Sequence, residues 1–240
     1  MLDRVDLGSG IVAGFTTRVG GFSAGAFDSL NLAEHVGDEL TAVQANRARL
    51  ANLIGLPLRL MRQVHGRDVH VIDDGGGDDE AAPAADALVT AKRGLGLSVL
   101  VADCVPVLLS DPEGGVVAAV HAGRRGVVAD VVGAAVVAMQ GLGAEPERMR
   151  AALGPAICPA CYPVGPEVQA EVVGVAPEAA AVAADGSPAV DLRLAIAVRL
   201  ARLGIQVSVS DVCTAESPRH FSYRRDRLTG RTAGVIGLQR

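Results

Sequence analysis

The chain has 240 residues, of which 50% are hydrophobic, 20% are charged and only 2% are aromatic, and its formal net charge is -5. This apolar content excludes global disorder and allows a sizeable core, which has to be built mainly from aliphatic side chains. The acidic balance and the scarcity of aromatic rings for base stacking argue against a nucleic-acid-binding protein.

The sequence also argues against secretion and membrane insertion. The N-terminal segment MLDRVDLGSG is charged and broken by glycine, unlike a secretory signal. The longest apolar segment, residues 126–139, contains Asp130 and is shorter than the roughly 20 residues that a membrane span needs. Four cysteines in a chain of this length are not a disulfide framework. We therefore expect a soluble cytoplasmic protein with no membrane contact and no obligate protein partner.

In the first third, hydrophobic patterning predicts a strand at 11–16, an amphipathic helix at 41–54 and an alternating strand at 68–73. Gly55, followed by Pro57, is expected to end the helix. The acidic segment DDGGGDDEAAP, residues 73–83, is predicted to be a solvated loop.

The middle third is the most strand-like part of the chain. The apolar run LSVLVADCVPVLLSD, residues 97–111, is interrupted at Asp103 and Cys104, and residues 116–120 are expected to pair with it after the DPEGG turn. An alanine- and valine-rich helix is predicted at 127–139, and a short strand at 150–153.

In the last third, helices are predicted at 166–173 and 192–203, and an alternating strand at 205–214. Strands and helices therefore mix without a regular β-α-β rhythm and without a short-period repeat. This order predicts an α+β fold with mixed sheets rather than a doubly wound parallel sheet.

Two histidines and one cysteine form a candidate metal-ligand set: His65 in RQVHG, Cys104 in ADCVP and His121 at the end of VVAAVHAG. Imidazole and thiolate are the donors that zinc prefers, and three protein ligands leave a fourth position open, as in catalytic sites. Copper accepts the same donors. Taken singly, Cys104 also fits a buried core thiol and His121 a hydrogen-bonded structural histidine. The hairpin register places His121 either near Cys104 or at the far end of the sheet, and the sequence leaves both open.

Asp103 is a carboxylate inside an apolar run, so it needs a partner or a function. Pro106, which follows closely, favours an edge strand or a bulge at this point. The remaining histidines, His35, His70 and His220, are interpreted as structural or solvent-facing.

The CPAC motif, Cys158 to Cys161, is the rival site. A thioredoxin-like interpretation requires the pair at a helix N-terminus beside a strand, whereas Pro159 and Pro163 favour a rigid loop. No second pair of this kind is available to complete a four-cysteine zinc site.

Several arginines stand beside glycines or turn residues, and most are expected to be solvated charges. They are Arg18, Arg124, Arg125, Arg224, Arg225 and Arg231. The cationic turn GRRG, directly behind His121, is placed to hold an anion such as phosphate in a guanidinium fork.

The chain resembles the YfiH family, whose members are described as polyphenol oxidases, as laccase-domain proteins and as multifunctional purine nucleoside phosphorylases. The resemblance covers essentially the whole chain. It is carried, in order, by TTRVGGFSAGAFDSLNLAEHVGD, RQVHG, ADALVT, VADCVPVLLSD, AVHAGRRG, LGPAICPACYPVG and FSYRRDRLTGR.

The resemblance implies one catalytic domain over residues 1–240, with a duplicated core in α/β/β/α layers similar to the catalytic domain of cytotoxic necrotizing factor. It implies a zinc ion bound by His65, Cys104 and His121. The implied activity is phosphorolysis of adenosine, inosine and methylthioadenosine, with accessory adenosine deaminase activity, so the partners are a small nucleoside and phosphate.

On this resemblance the catalytic candidates are His65, Cys104, His121 and Asp103, with Asp103 expected to move a proton. The candidates for binding substrate or phosphate are Arg18, Asn31, Arg125 and Arg224. This chain departs from the family at two positions: Arg124 replaces the tryptophan of HAGWRG, and Pro163 replaces the glutamate of CCYEVG.

Three alternatives stay open. A copper polyphenol oxidase is one, although a single cysteine and two histidines are too few for the several copper sites of a laccase. A cysteine hydrolase, with Cys104 as nucleophile and His121 as base, is another, and editing of peptidoglycan precursors belongs beside it. The third is a non-catalytic binding module.

Overall fold

The computed structural model describes residues 1–72 and 82–240, which contain thirteen strands and six α-helices. The strands are β1 (Leu2–Arg4), β2 (Ile11–Thr16), β3 (Leu58–Arg59), β4 (Val69–Ile72), β5 (Ala87–Thr90), β6 (Leu95–Val101), β7 (Val105–Asp111), β8 (Val116–Ala122), β9 (Arg150–Leu153), β10 (Ala180–Val182), β11 (Pro188–Val190), β12 (Gln206–Val209) and β13 (Thr232–Leu238). The helices are α1 (Leu40–Ile54), α2 (Arg124–Val128), α3 (Val131–Gly141), α4 (Pro166–Val175), α5 (Leu192–Arg202) and α6 (Tyr223–Asp226). Residues 73–81 of the predicted solvated loop lie outside the described residues.

Two mixed sheets form the centre of the fold. One has five strands in the order β1-β2-β13-β6-β3, and the other has six in the order β12-β9-β7-β8-β5-β4. The pairs β3–β6, β4–β5 and β9–β12 are parallel, and the other pairs in these two sheets are antiparallel. The mixed pairing confirms the predicted α+β class.

The apolar run at 97–111 is not one strand but two, and they belong to different sheets. Strand β6 lies in the five-stranded sheet and β7 in the six-stranded sheet, so the chain crosses between them at residues 102–104. Asp103 adopts a positive φ of 92° at this crossing. The polar interruption in the sequence therefore marks the place where the backbone changes sheet.

Alternating side chains along the strands divide the core into layers. Val117 and Ala119 of β8 pack into the core between the two sheets, whereas Ala118 and Val120 face the helical side of the six-stranded sheet. Helices α3 and α5 cover that outer side, and α1 covers the outer side of the five-stranded sheet. The layer order is therefore α/β/β/α. The predicted duplication of the core and the likeness to cytotoxic necrotizing factor stay predictions.

The helix predicted at 127–139 is two helices, α2 and α3, because Asp130 between them has a left-handed φ of 59°. Its carboxylate accepts a hydrogen bond from the Gly133 amide and caps α3. The GRRG segment is also not a turn, since Arg124 begins α2 directly after Gly123.

The expectation of an edge strand at Pro106 is wrong. Strand β7 lies inside the six-stranded sheet, between β8 and β9. Proline is accommodated near the beginning of the strand, where the missing N–H disturbs the ladder least, and its carbonyl accepts a hydrogen bond from Gly154 at 2.9 Å. Among the described residues, no helix has both the length and the apolarity to cross a membrane.

Candidate metal centre

His65, Cys104 and His121 converge at one edge of the core between the sheets. One ligand atom from each side chain lies within 4.8 Å of the others. The two imidazole rings meet edge to face, with ring centroids 4.7 Å apart and an interplanar angle of 85°. Three donors that are far apart in sequence therefore share one small volume.

The register of the β7–β8 hairpin brings Cys104 and His121 together. Pro106 pairs with His121, and Cys104 directly precedes β7. Along β8, His121 continues the row of Val117 and Ala119, which points into the core between the sheets. The structure thus selects the nearer of the two positions that the sequence left open for His121.

Asp86 is the residue that fixes both histidines, and sequence reasoning assigned it no role. This fully buried carboxylate accepts hydrogen bonds from the backbone N–H of His65 at 2.9 Å and of Gly66 at 2.6 Å. It also lies 2.9 Å from Nδ1 of His121. The sequence feature that could have indicated this role is a carboxylate directly before the buried strand β5, in the motif ADALVT.

The contact from Asp86 to Nδ1 leaves Nε2 of His121 free for a metal, which is the usual arrangement around a metal-binding imidazole. Burial raises the pKa of Asp86, but hydrogen bonds from His121 and Gly66 outweigh it and hold that pKa below its usual value. Asp86 is therefore a carboxylate that orients the ring of His121.

The electrostatics of the cluster favour a thiolate. Burial alone would raise the pKa of Cys104, yet the charge and hydrogen bonds of His121 and His65 lower it to about 6. Burial would lower the pKa of His121, but Cys104 and Asp86 raise it to about 9. Cys104 and His121 thus stabilise each other as an ion pair, and the thiolate is the form of cysteine that binds metals.

The space beside the three donors is kept open by Gly123. A Cβ atom at this position would lie 3.0 Å from Sγ of Cys104 and 3.6 Å from an atom of each histidine ring. A side chain there would crowd the volume that the donors surround. The donor chemistry, the common reach and this clearance all fit a bound transition metal.

The cluster opens into a cavity of about 670 Å³. Its walls carry three arginines, together with His35, Glu34 and the exposed Tyr223. The arginines are Arg47, Arg62 and Arg231. This lining is cationic and suits an anionic ligand. A second cavity of about 260 Å³, between α2, α3 and α5, is lined by none of the predicted site residues.

Residues 12–239 match the family model described as "Multi-copper polyphenol oxidoreductase laccase". The chain belongs to this family. A protein of Streptomyces griseus named purine nucleoside phosphorylase is 54% identical over 93% of each chain. A Streptomyces coelicolor protein of the same name is 52% identical over 99% of this chain and 100% of its own length. A relative of that name from Shigella flexneri, 39% identical, also carries the name YfiH.

Solved structures agree with the family assignment. A Neisseria meningitidis protein of family DUF152 superposes with a TM-score of 0.89 and is 36% identical, covering 100% of this chain and 99% of its own. The YlmD protein of Geobacillus stearothermophilus superposes with a TM-score of 0.88 at 37% identity, covering 97% and 93%. The recognition of this laccase-domain family from the sequence motifs is confirmed.

Within this family fold, Asp103 and Arg224 lie beside the cluster but not in it. The carboxylate of Asp103 accepts hydrogen bonds from Oγ1 of Thr214 at 2.7 Å and from the backbone N–H of Arg224 at 2.6 Å. The guanidinium of Arg224 lies 4.7 Å from the ring centroid of Tyr162 and donates to the carbonyl of Pro163. Asp103 therefore joins the loop at Thr214 and the helix α6 to the segment that carries Cys104.

The other predicted binding residues lie outside the lining of the large cavity. Arg18 donates to the carbonyl of Asp28 and stacks on Phe221 at 4.5 Å. Asn31 is fully buried, and both ends of its amide are bonded, among others to the Arg231 N–H and to Asp38. Arg125 is exposed on α2.

The two departures from the family pattern are local. Arg124 forms an ion pair with Glu171, which joins α2 to α4. Pro163 stands where the family has a glutamate, so no carboxylate is present at this position. Its backbone carbonyl accepts a hydrogen bond from the guanidinium of Arg224. His35, set aside at first as structural or solvent-facing, lines the cavity.

Proposed function

We propose that this protein is a zinc-dependent purine nucleoside phosphorylase that acts on adenosine, inosine and methylthioadenosine, with accessory adenosine deaminase activity. The observation that supports it most directly is the His65–Cys104–His121 cluster at the wall of an arginine-lined cavity of about 670 Å³. A volume in this range suits a small ligand such as a nucleoside. Relatives over 50% identical carry the name purine nucleoside phosphorylase.

His65, Cys104 and His121 are the proposed zinc ligands. Two imidazoles and one thiolate form a donor set that zinc prefers, and three protein ligands leave one position for water or substrate. Bound there, zinc would supply a Lewis acid and lower the pKa of a water molecule. Copper is the less favoured metal, because only one of the two clusters of possible metal ligands among the described residues contains histidine, whereas a laccase needs several copper sites.

The proposed phosphate site uses the guanidinium groups on the cavity wall. Arg231 lies near enough to Cys104 and Asp103 for both to act on its charge, and it donates to the carbonyls of Thr229 and Gly230, which hold it in place. Arg47 and Arg62 line the same cavity. Binding of phosphate or substrate by Arg18, Asn31, Arg125 and Arg224 stays a prediction.

The proposed proton transfer by Asp103 in deamination also stays a prediction. Each of its two oxygens accepts one hydrogen bond, from Oγ1 of Thr214 and from the backbone N–H of Arg224, and each keeps a second lone pair as a further acceptor site. We further infer that residues 1–240 act as one catalytic domain, because β13 near the C-terminus pairs with both β2 and β6.

The decisive experiment incubates the zinc-loaded protein with each of the three nucleosides, with and without inorganic phosphate, and measures free base and sugar phosphate. We expect base release that requires phosphate, and conversion of adenosine to inosine without it. In Arg231→Gln, the KM for phosphate should rise about tenfold, since one charge-assisted hydrogen bond is lost. Absence of phosphate-dependent base release from all three nucleosides would overturn the proposal.

The thiolate–imidazolium character of Cys104 and His121 favours a second candidate, a hydrolase with Cys104 as nucleophile. Treatment with a chelator separates the two. A zinc-dependent phosphorylase loses activity when the metal is removed, whereas a cysteine hydrolase keeps its activity and is inactivated by alkylation of Cys104. Activity in metal-free protein would therefore favour the second candidate.

A further inference from the structure

Three cysteines and one glutamate form a second cluster, separate from the cavity. Cys158, Cys161, Cys213 and Glu216 each place one ligand atom within 4.8 Å of the others. The first two belong to the CPAC motif, and the other two lie more than 50 residues further along the chain. The sequence offered no second cysteine pair, but folding supplies a single cysteine and a carboxylate instead.

The local backbone positions these donors. Cys158 precedes a short 3-10 turn, Pro159–Cys161, so the two thiols of the C-x-x-C motif face one side. Cys213 is held by a β-bridge with Ala156 and is buried. Its Sγ accepts a hydrogen bond from the backbone N–H of Cys158 at 3.4 Å.

The contact between Cys161 and Glu216 has the donor separation of a tetrahedral metal site, and all four donor atoms lie within 4.8 Å of one another. With bonds of about 2.3 Å to sulfur and 2.0–2.2 Å to oxygen, neighbouring ligand atoms in a tetrahedral zinc site are about 3.5–3.8 Å apart. Sγ of Cys161 and Oε1 of Glu216 are 3.6 Å apart. A C-x-x-C pair joined by two distant ligands is also the usual pattern of structural zinc sites.

From this geometry we propose that Cys158, Cys161, Cys213 and Glu216 bind a second zinc ion, in a structural rather than catalytic site. Four protein ligands fill a tetrahedral shell and leave no position for substrate. Residues of this cluster line neither of the two cavities described above.

The second zinc would fix the loops that surround the first site. The backbone N–H of Ile157 donates to the carbonyl of Asp103, and Oγ1 of Thr214 donates to its carboxylate. Both residues are direct neighbours of the proposed ligands Cys158 and Cys213. Metal binding would therefore hold two loops against the segment that carries Cys104, without contact with the substrate.

The test counts zinc per chain in protein purified under reducing conditions and dialysed against trace zinc. We expect two zinc ions per wild-type chain, one in Cys213→Ser and one in the matched control Cys104→Ser. The remaining zinc ion should be bound at the His65–Cys104–His121 site in C213S and at the second site in C104S. After replacement by cobalt, C104S should keep most of the thiolate-to-metal absorption, because three of the four thiolates remain, whereas C213S should lose most of it.

Because Cys213 is buried, C213S is compared with Cys161→Ser, which changes a less buried ligand and should also retain one zinc ion. Thermal unfolding should show a loss of several degrees in both variants, and a chelator, which removes both zinc ions, should lower the wild-type midpoint at least as far. The proposal is overturned if wild-type protein with all four thiols reduced holds one zinc ion and C104S holds none. It is equally overturned if Cys158, Cys161 and Cys213 are recovered as free, rapidly titrating thiols in zinc-loaded protein. These readouts do not depend on nucleoside turnover.

Discussion

The two cysteine-containing clusters use similar donors but lie in different surroundings. The His65–Cys104–His121 cluster has three donors, a buried carboxylate behind it and a cavity of about 670 Å³ in front. The Cys158–Cys161–Cys213–Glu216 cluster has four donors, held between two loops. Under the two proposals, the number of donors and what adjoins them, more than donor type, distinguish a catalytic metal site from a structural one.

The two clusters also depend differently on the rest of the fold. Strand register positions Cys104 and His121, so their arrangement is expected to persist without metal. The second cluster is positioned by one short turn and one isolated bridge, so metal binding contributes more to its order. Removal of the metal should therefore affect activity at the first cluster and stability at the second.

The largest expected effect comes from His121→Ala. This change removes one ligand and the partner of Asp86, and it should lower phosphorolysis by more than the roughly 10–100-fold that is typical for loss of an outer-shell group. Zinc content should fall by one ion per chain, and the thiolate absorption of the cobalt-loaded second cluster should stay unchanged. His70→Ala is the matched control. Unchanged metal content in H121A would contradict the assignment of the first site.

Asp86→Asn should have the next largest effect. The amide keeps the size of the side chain but loses the charge that orients the His121 ring, so zinc affinity at the first site should fall about 10–100-fold. A competition titration with a metal indicator measures it. If D86N bound zinc like wild type, the carboxylate would only tie down the backbone of His65 and Gly66.

Asp111→Asn tests a buried carboxylate far from both clusters, at the other end of β7. Asp111 accepts hydrogen bonds from Arg148, Glu145 and Gly114, so the substitution should cost about 1–3 kcal/mol in the free energy of unfolding at pH 7. Zinc content should not change. A loss of zinc in D111N would show that general destabilisation is enough to release the metal. A lower zinc affinity in D86N would then no longer show that Asp86 orients His121.

The same carboxylate predicts a dependence on pH. Burial raises the pKa of Asp111, but the hydrogen bonds from Arg148 and the backbone outweigh it and hold that pKa below its usual value. The stabilisation is therefore complete above the unfolded-state pKa of about 4 and is lost as the pH falls below it. Between pH 7 and pH 3, the difference in unfolding free energy between wild type and D111N should shrink, as measured by denaturant titration. A constant difference would contradict this account.

The sequence predicted the strands and helices well where patterning is strong, as in β2, α1 and α5. Of the two alternatives at Pro106, an edge strand or a bulge, the edge strand was wrong, because proline signals a missing donor but not the position of its strand in the sheet. It merged α2 with α3 because the left-handed conformation of Asp130 depends on capping, which leaves the apolar pattern unbroken. Local sequence patterns therefore predict the strands and helices, but not where a helix is interrupted or which strands lie side by side in a sheet.

The candidate ligands His65, Cys104 and His121 were identified from residue type and position, and the structure brings all three together. Asp86 and Cys213 were missed for one reason: each acts on residues at least 20 positions away, and no spacing rule links them. The cavity arginines were not distinguished from solvated ones, because the wall that Arg47 and Arg231 share forms only in the folded chain.

The smallest expected effect concerns the family departure at Arg124. Arg124→Trp removes an ion pair with Glu171 whose side chains are 25% and 47% exposed, so unfolding should change by less than about 1 kcal/mol. Burial raises the pKa of Tyr162, while the charges of Arg224 and Arg124 oppose that rise, so position 124 lies within electrostatic reach of this ring. A tryptophan there should lower the KM for nucleosides severalfold through ring stacking, with little change in kcat. Arg124→Met is the control, because it removes the same ion pair without adding a ring. An equal KM in R124W and R124M would show that position 124 does not face the nucleoside, and the difference between this chain and its relatives would then be confined to the α2–α4 contact.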